Sequence, residues 1–204
     1  YVCAAKAPER NPTAVSDGSG GVIAAGDYVV EEGPHVGDRD ALAQRLDSQG
    51  RWLWNAGKRS APLATSNSDE GAVCALPAGD GGAIFAFEAM PHERERAGDQ
   101  DLWGQRLNRD GQLLWRKGEY SIGLATSKWL EHSPLLLPDG DGGFFLVFGA
   151  TGPANTTHAG DEDIQAARFS GGGEPLWNNG EKSVDIAATN ALERNPCAIT
   201  VPAK

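Results

Sequence analysis

Three histidines, His35, His92 and His158, are spread through the chain among acidic and turn-forming residues, with Glu31, Glu32, Glu93 and Glu95 near the first two. Imidazoles and carboxylates drawn together from separate segments are the donor set of a transition-metal centre. His35 and His158 each stand two residues before a glycine, Gly37 and Gly160, whereas His92 is displaced from that register. Unequal placement on separate segments argues against convergence, so no metal is expected on them. A second acidic pattern is more regular: Asp38 and Asp40, Asp99 and Asp101, Asp161 and Asp163. Alternate carboxylates in a loop suit Ca²⁺, a hard ion that takes oxygen ligands. Their regular return points instead to a structural duty. Asp40, Asp101 and Asp163 are expected to cap backbone N–H groups or to pair with the equally regular Arg45, Arg106 and Arg168. The expected cofactor set is therefore empty, with Ca²⁺ as the ion these aspartates would take.

Among the six tryptophans, Trp54, Trp115 and Trp177 recur 61 and 62 residues apart, as buried packing residues would. Trp103 and Trp129 do not recur and are the better candidates for a ligand-facing aromatic. Glu88 follows an apolar run and has the chemistry of a glycosidase acid, but no second carboxylate can be paired with it from spacing alone. No nucleophile elbow, phosphate loop or zinc-hydrolase spacing is present. The net charge of −10 argues against a nucleic-acid groove. The most apolar stretch, "GGFFLVFGA" at 142–150, is far below the roughly 20 residues of a membrane-spanning helix. The three cysteines, Cys3, Cys74 and Cys197, lack metal or redox spacing, and an odd number leaves at least one unpaired within the chain.

The elements that must position these residues come from an internal repeat. "GDRDALAQRLDSQGRWLW" ending at Trp54, "GDQDLWGQRLNRDGQLLW" ending at Trp115 and "GDEDIQAARFSGGGEPLW" ending at Trp177 align, the third with Ala167 where Gln44 and Gln105 stand. Upstream, "SDGSGG" (16–21), "PAGDGG" (77–82) and "PDGDGG" (138–143) keep a spacing of 61. "ERNP" opens at Glu9 and returns at Glu193. The repeats fall at about 9–66, 67–127 and 128–190, with 191–204 starting another whose first strand is expected from Pro196 to Val201. Residues 1–8 match the connector at 62–69.

Each repeat carries four short apolar runs separated by Gly turns, and 27 Gly with 12 Pro favour turns over long helices. The second run, as in "AIFAF" (83–87), is uninterrupted, as in a strand covered on both faces. The third, "ALAQRLD" (41–47), contains helix formers, but its equivalent carries Gly104 mid-run and spans only seven residues between turns, so strand is predicted. The fourth run is predicted to end at the repeated Trp. The fold class is all-β, with three four-stranded antiparallel units and the first strand of a fourth.

The pattern DGxGG … DxxxQRL … G … LW resembles repeats of secreted and cell-surface bacterial β-propeller proteins. That resemblance covers nearly all of 9–201 and implies propeller blades, completed by further blades from the same or another chain. It also implies an extracellular, periplasmic or cell-surface location. The long, dissimilar connections at 27–38, 88–99 and 149–161 share one end of the blades, where binding residues usually lie. His35, His92, His158, Glu88, Trp103 and Trp129 are the candidates there. The expected function is a non-enzymatic binding or scaffolding module for a protein or glycan; the alternative is part of a sialidase-like hydrolase. A first residue that is Tyr fits a processed product or a piece of a longer chain.

Overall fold

The computed structural model describes residues 8–92, 99–118, 121–154, 156–180, 183–189, 192–194 and 196–199. It is all-β. Strands β1 (Glu9–Ser16), β2 (Val22–Val29), β3 (Arg39–Leu46) and β4 (Ala61–Ala64) form one antiparallel sheet in chain order. β5 (Ser68–Pro77), β6 (Ala83–Pro91), β7 (Asp101–Leu107) and β8 (Ile122–Ala125) form the second. β9 (Leu130–Pro138), β10 (Phe144–Thr151), β11 (Glu162–Phe169) and β12 (Val184–Ala187) form the third. No helix among the described residues is long and apolar enough to cross a membrane.

The middle sheet explains the uninterrupted apolar runs. Along β6 every residue from Ala83 to Phe87 is buried, because its two faces belong to two cores. Phe85 and Phe87 pack with Ile23, Ala25, Ala41 and Ala43 of the first sheet. Ile84 and Ala86 pack with Phe144, Leu146 and Phe148 of the third. Truncating either phenylalanine would cost about 3–5 kcal/mol. Where a sheet has a described neighbour on one side only, the other face is lined by smaller or half-buried side chains. On the first sheet Ala24, Gly26 and Leu42 line a hollow of about 370 Å³. On the third, Phe145 packs against Trp177, ring centroids 5.3 Å apart.

The run 41–47 is strand, as read from Gly104. The fourth strand is not where the repeated Trp placed it. Leu46 makes only an isolated bridge with Trp52, as Leu107 does with Leu113 and Phe169 with Pro175. The chain then turns sharply, and the "PLATS"-type segment beyond supplies β4, β8 and β12. The turn is made by left-handed residues, Asn55 (φ 51°) and Ala56 (φ 54°), Arg116 (φ 46°) and Lys117 (φ 58°), Asn178 and Asn179 (φ 56° each). This conformation costs an L-residue roughly 1–2 kcal/mol. It is held in the first two repeats by a buried amide: Gln44 Oε1 accepts from Trp54 N at 2.9 Å and Gln105 Oε1 from Trp115 N at 3.0 Å. In the third repeat, which has Ala167, Gln165 bonds Ser183 and Asp185 instead.

Successive sheets are latched at the Gly-turn end. Trp54 Nε1 and Arg45 Nη1 both donate to the Arg109 carbonyl of the second sheet, at 2.9 and 3.1 Å. Trp115 Nε1 and Arg106 Nη1 both donate to the Gly171 carbonyl of the third, at 3.2 and 2.9 Å. The same arginines hold acids of their own Gly turns. Arg45 Nε reaches Asp17 at 2.9 Å, Arg106 Nη2 reaches Asp80 at 2.8 Å, and Arg168 bonds both Asp139 and Asp141. The expected pairing of these arginines with Asp40, Asp101 and Asp163 is therefore replaced: an arginine near the end of the third strand points to the nearby turn, not to the strand's far end.

The first strand of each sheet bulges at one position, where Asn11 (φ 48°), Ala72 (φ 47°) and Ser133 (φ 54°) are left-handed. This gives the Asn of "ERNP" its local role, since Asn tolerates that conformation. At the other end of the repeat array, Leu192 makes a parallel bridge with Glu162, and Glu193 N donates to Glu162 O at 2.8 Å. That is the arrangement of Glu131 N on Gln100 O, also at 2.8 Å. Residues 196–199 are not in a strand, contrary to the expectation from the repeat. The rest of the predicted segment, at 200–201, lies outside the described residues.

Candidate functional site

The connections between second and third strands gather at the end of the sheets opposite the latches, together with the inter-sheet connectors. Two of the three histidines meet there on one acid. His92 Nδ1 lies 3.3 Å from Asp38 Oδ1 and His35 Nδ1 lies 3.6 Å from Asp38 Oδ2. His92 Nε2 also lies 3.5 Å from Asp69, whose carboxylate accepts the Arg39 N–H at 3.0 Å. The displaced register of His92 is what lets it reach across to the first sheet. His158 repeats the local geometry of His35, lying 3.5 Å from Asp161, and its ring packs against Trp129 at a centroid distance of 5.7 Å. Two proposed ligand-facing residues are thus occupied with each other. His132, which sequence reasoning passed over, bonds Thr151 at 3.1 Å and lies 3.6 Å from Glu162. Glu31 and Glu32 are exposed, and Glu93 and Glu95 fall outside the described residues.

Glu88 is not free. Its carboxylate accepts the Ser133 N–H at 2.8 Å, which fastens the bulge of β9 to the second sheet. Burial raises its pKa. Asp27, one repeat earlier, does the same for its own sheet by accepting from Asn11 Nδ2 at 2.8 Å.

Asp40, Asp101 and Asp163 lie at the start of the third strand, beside a glutamate that opens the next repeat. Each pair is 30 residues apart: Asp40 with Glu70, Asp101 with Glu131, Asp163 with Glu193. A hydroxyl four residues before each glutamate donates to it, from Ser66, Ser127 and Thr189. Glu70 and Glu131 are 1% and 2% exposed, and one oxygen of each has no hydrogen-bond donor. Asp40 Oδ1, Asp163 Oδ1 and Glu193 Oε2 are also buried without a donor. Burial, then the charges of Asp40 and Asp38, lifts Glu70 to a pKa of about 8. Burial, then Asp101 and Asp99, lifts Glu131 to about 7. Asp40 is raised by burial and by Asp38, and Asp163 by burial and by Asp161. The glutamates were the residues missed; their constant distance from the aspartates was the available signal. Among the described residues, no three His, Cys, Asp or Glu side chains are drawn onto one point as a formed metal centre.

Between the first and second sheets a cleft of about 610 Å³ opens beside this cluster. Pro62, Thr65, Ser66 and Asn67 of the first repeat line it together with Glu70, Trp103 and Leu113 of the second. Trp103 is half-buried and stands where the other repeats have Leu42 and Gln165. Of the proposed ligand-facing residues, it alone lines this cleft. No protein-family model matches the chain, and no curated protein matches it. The functional reading therefore rests on these residues and on the repeat.

Proposed function

We propose that the chain is part of a β-propeller of the exported type and that it acts as a non-enzymatic binding module, receiving a glycan in the cleft between its first two sheets. The observation that carries this reading is Trp103, a half-buried indole unique to the second repeat, on the wall of a cleft that also presents the exposed Thr65 and Asn67. An aromatic face beside hydroxyl and amide groups matches the two surfaces of a sugar, one of C–H bonds and one of hydroxyls. Three sheets packed in chain order, each latched to the next through a main-chain carbonyl, supply the rigid support that such a site requires. The open faces of the first and third sheets are where further blades would pack, from the same or another chain.

The experiment is a glycan microarray probed with the purified chain, followed by titration of the strongest glycan against the wild type and Trp103→Gln. Gln is chosen because Gln165 occupies that strand position in the third repeat. A loss of about tenfold in affinity, equal to about 1.4 kcal/mol, is expected, with thermal stability kept within a few degrees. Absence of binding to any glycan, or binding indifferent to Trp103→Gln, overturns the reading. Release of a shortened glycan during the titration would select the hydrolase alternative.

A further inference from the structure

From the open faces of the first and third sheets we infer that two copies of this chain associate head to tail, the third sheet of each packing on the first sheet of the other. The inference rests on the propeller part of the proposed function and is independent of its glycan part.

The first argument is side-chain size. Equivalent residues of the second strands recur every 61 positions, so Ile23, Ile84 and Phe145 correspond, as do Ala24, Phe85 and Leu146. Alternate residues of each strand face the next repeat and the previous one. Where the first sheet meets the second, Ile23 and Ala25 pack with Phe85 and Phe87. Where the second meets the third, Ile84 and Ala86 pack with Leu146 and Phe148. At both interfaces the later sheet brings the larger pair. The open faces reverse this. The third sheet presents Phe145 and Val147, both half-buried, in the places of Ile23 and Ala25. The first sheet presents Ala24 and Gly26 in the places of Phe85 and Phe87, and with Leu42 they line the hollow of about 370 Å³. The volume missing from one open face stands on the other, as a close-packed contact between them requires.

The second argument is an unmade latch. Trp54 and Trp115 each donate to a carbonyl of the following sheet, and each indole also lies over the glycine two residues beyond that carbonyl. A Cβ would come within 2.6 Å of Trp54 at Gly111 and within 3.2 Å of Trp115 at Gly173. Trp177, by contrast, is half-buried, and its Nε1 has no acceptor among the described residues. Arg168 bonds its own turn through Nε and Nη2, as Arg45 does. Its Nη1, the atom that Arg45 and Arg106 direct to the next sheet, likewise has no acceptor among the described residues. The matching acceptor is the carbonyl of Ser48, an exposed residue that stands where Arg109 and Gly171 stand in the other repeats. Gly50, two residues on, meets nothing within 4 Å and is the open seat for the Trp177 indole.

The third argument is closure. A contact in which the third sheet of each copy meets the first sheet of the other is that of a two-fold dimer. Two copies bring six sheets, inside the range of about four to eight that closed propellers use, and leave no sheet face open. Residues 192–194 already cap the loop end of the third sheet on Glu162. Glu9 and Arg10 of the second copy, both exposed, are the residues that swing aside there.

The test is sedimentation velocity over a concentration series of the purified chain. A reversible equilibrium between the chain mass of 21.5 kDa and twice that mass is expected. Ala24→Arg, which fills the hollow with a charged side chain, should abolish the dimer and leave the melting temperature of the dilute monomer within a few degrees of wild type. Phe145→Arg, on the opposite face, is the second variant should the first fail to fold. Trp177→Phe keeps a ring but removes the latch donor at both contacts, and should weaken the dimer about tenfold or more. Gly50→Ala should weaken it too, because its Cβ is free in the monomer and would press on Trp177 in the dimer. A single species of chain mass at every concentration overturns the inference; if that monomer still binds a glycan, the proposed function stands without it. A dimer indifferent to Ala24→Arg and Trp177→Phe overturns it as well, and so does open-ended growth beyond two copies.

Discussion

Gly50 and Gly111 occupy the same turn in the first and second repeats, with φ of 76° and 79°. Alanine at either must adopt the left-handed conformation, at roughly 1–2 kcal/mol. Their surroundings differ. A Cβ at Gly50 would meet nothing within 4 Å, whereas a Cβ at Gly111 would lie 2.6 Å from Trp54 Cγ and 2.8 Å from Cδ2. Trp54 is 1% exposed and its Nε1 is bonded to the Arg109 carbonyl, two residues from Gly111, so the ring cannot withdraw without breaking the latch. Overpacking of this kind adds roughly 1–3 kcal/mol. Gly50→Ala should therefore lower stability by about 1–2 kcal/mol and Gly111→Ala by about 2–5 kcal/mol. For a chain of this size each kcal/mol moves the melting temperature by about 2–4 °C, so the two variants should differ by roughly 2–12 °C. Calorimetry, with urea unfolding to give the free energies, reads both. Equal losses would refute the packing of the second repeat's turn onto Trp54, and with it the latch.

The acid side of the stability profile should report the Gly-turn carboxylates. The Ser19 hydroxyl and N–H, with Gly21 N–H and Arg45, hold Asp17 well below its ordinary pKa; at Asp139 the N–H groups of Asp141 and Gly143 and the Arg168 guanidinium outweigh the upward pull of burial. A depressed carboxylate stabilises the fold above its unfolded pKa of about 3.9 and loses that contribution as pH falls toward the folded value. The stability gap between wild type and Asp17→Asn should thus be flat from pH 7 to about 5 and narrow below about pH 4; a constant gap down to pH 2.5 would contradict it. Burial pushes the Cys74 thiol up to about 12, while Cys197 is exposed. Iodoacetamide at pH 8 should therefore modify Cys197 in the native protein and Cys74 only after unfolding, as read by peptide mass mapping; equal labelling of both in the native state would contradict that burial.

The in-phase recurrence of turn residues and apolar runs made three four-stranded sheets legible, and Gly104 was enough to turn a helix-like composition into a strand. The fourth strand was not legible, for a physical reason. "RWLW" is apolar and of strand length, and nothing in Arg116-Lys117 announces two left-handed residues. In that repeat the turn is braced by the buried Gln105, whose Oε1 accepts the Trp115 N–H ten residues on, a contact that local propensity does not carry; the third repeat makes the same turn with Asn178 and Asn179 and no such amide. The arginine partners were misread for a related reason. The third strand holds an acid at its start and an arginine near its end, and nearness in sequence suggested a pair. Five residues of extended chain separate Asp40 from Arg45 by about 16 Å, beyond any salt bridge. The histidines were judged one by one as separate loops, so the crossing of His92 to Asp38 was invisible until the two sheets were placed side by side.

The same 16 Å gives each junction two unlike ends. At the Gly-turn end, an arginine and a tryptophan converge on one carbonyl and draw the sheets together. At the loop end, buried acids crowd instead: burial, then the charges of Asp40 and Asp38, lifts Glu70 to a pKa of about 8. Glu70 is part of the lining of the cleft that Trp103 also lines. A ligand between Thr65 and Trp103 would therefore meet a carboxyl that is largely protonated at neutral pH and can donate as well as accept, where an ionised glutamate could only accept.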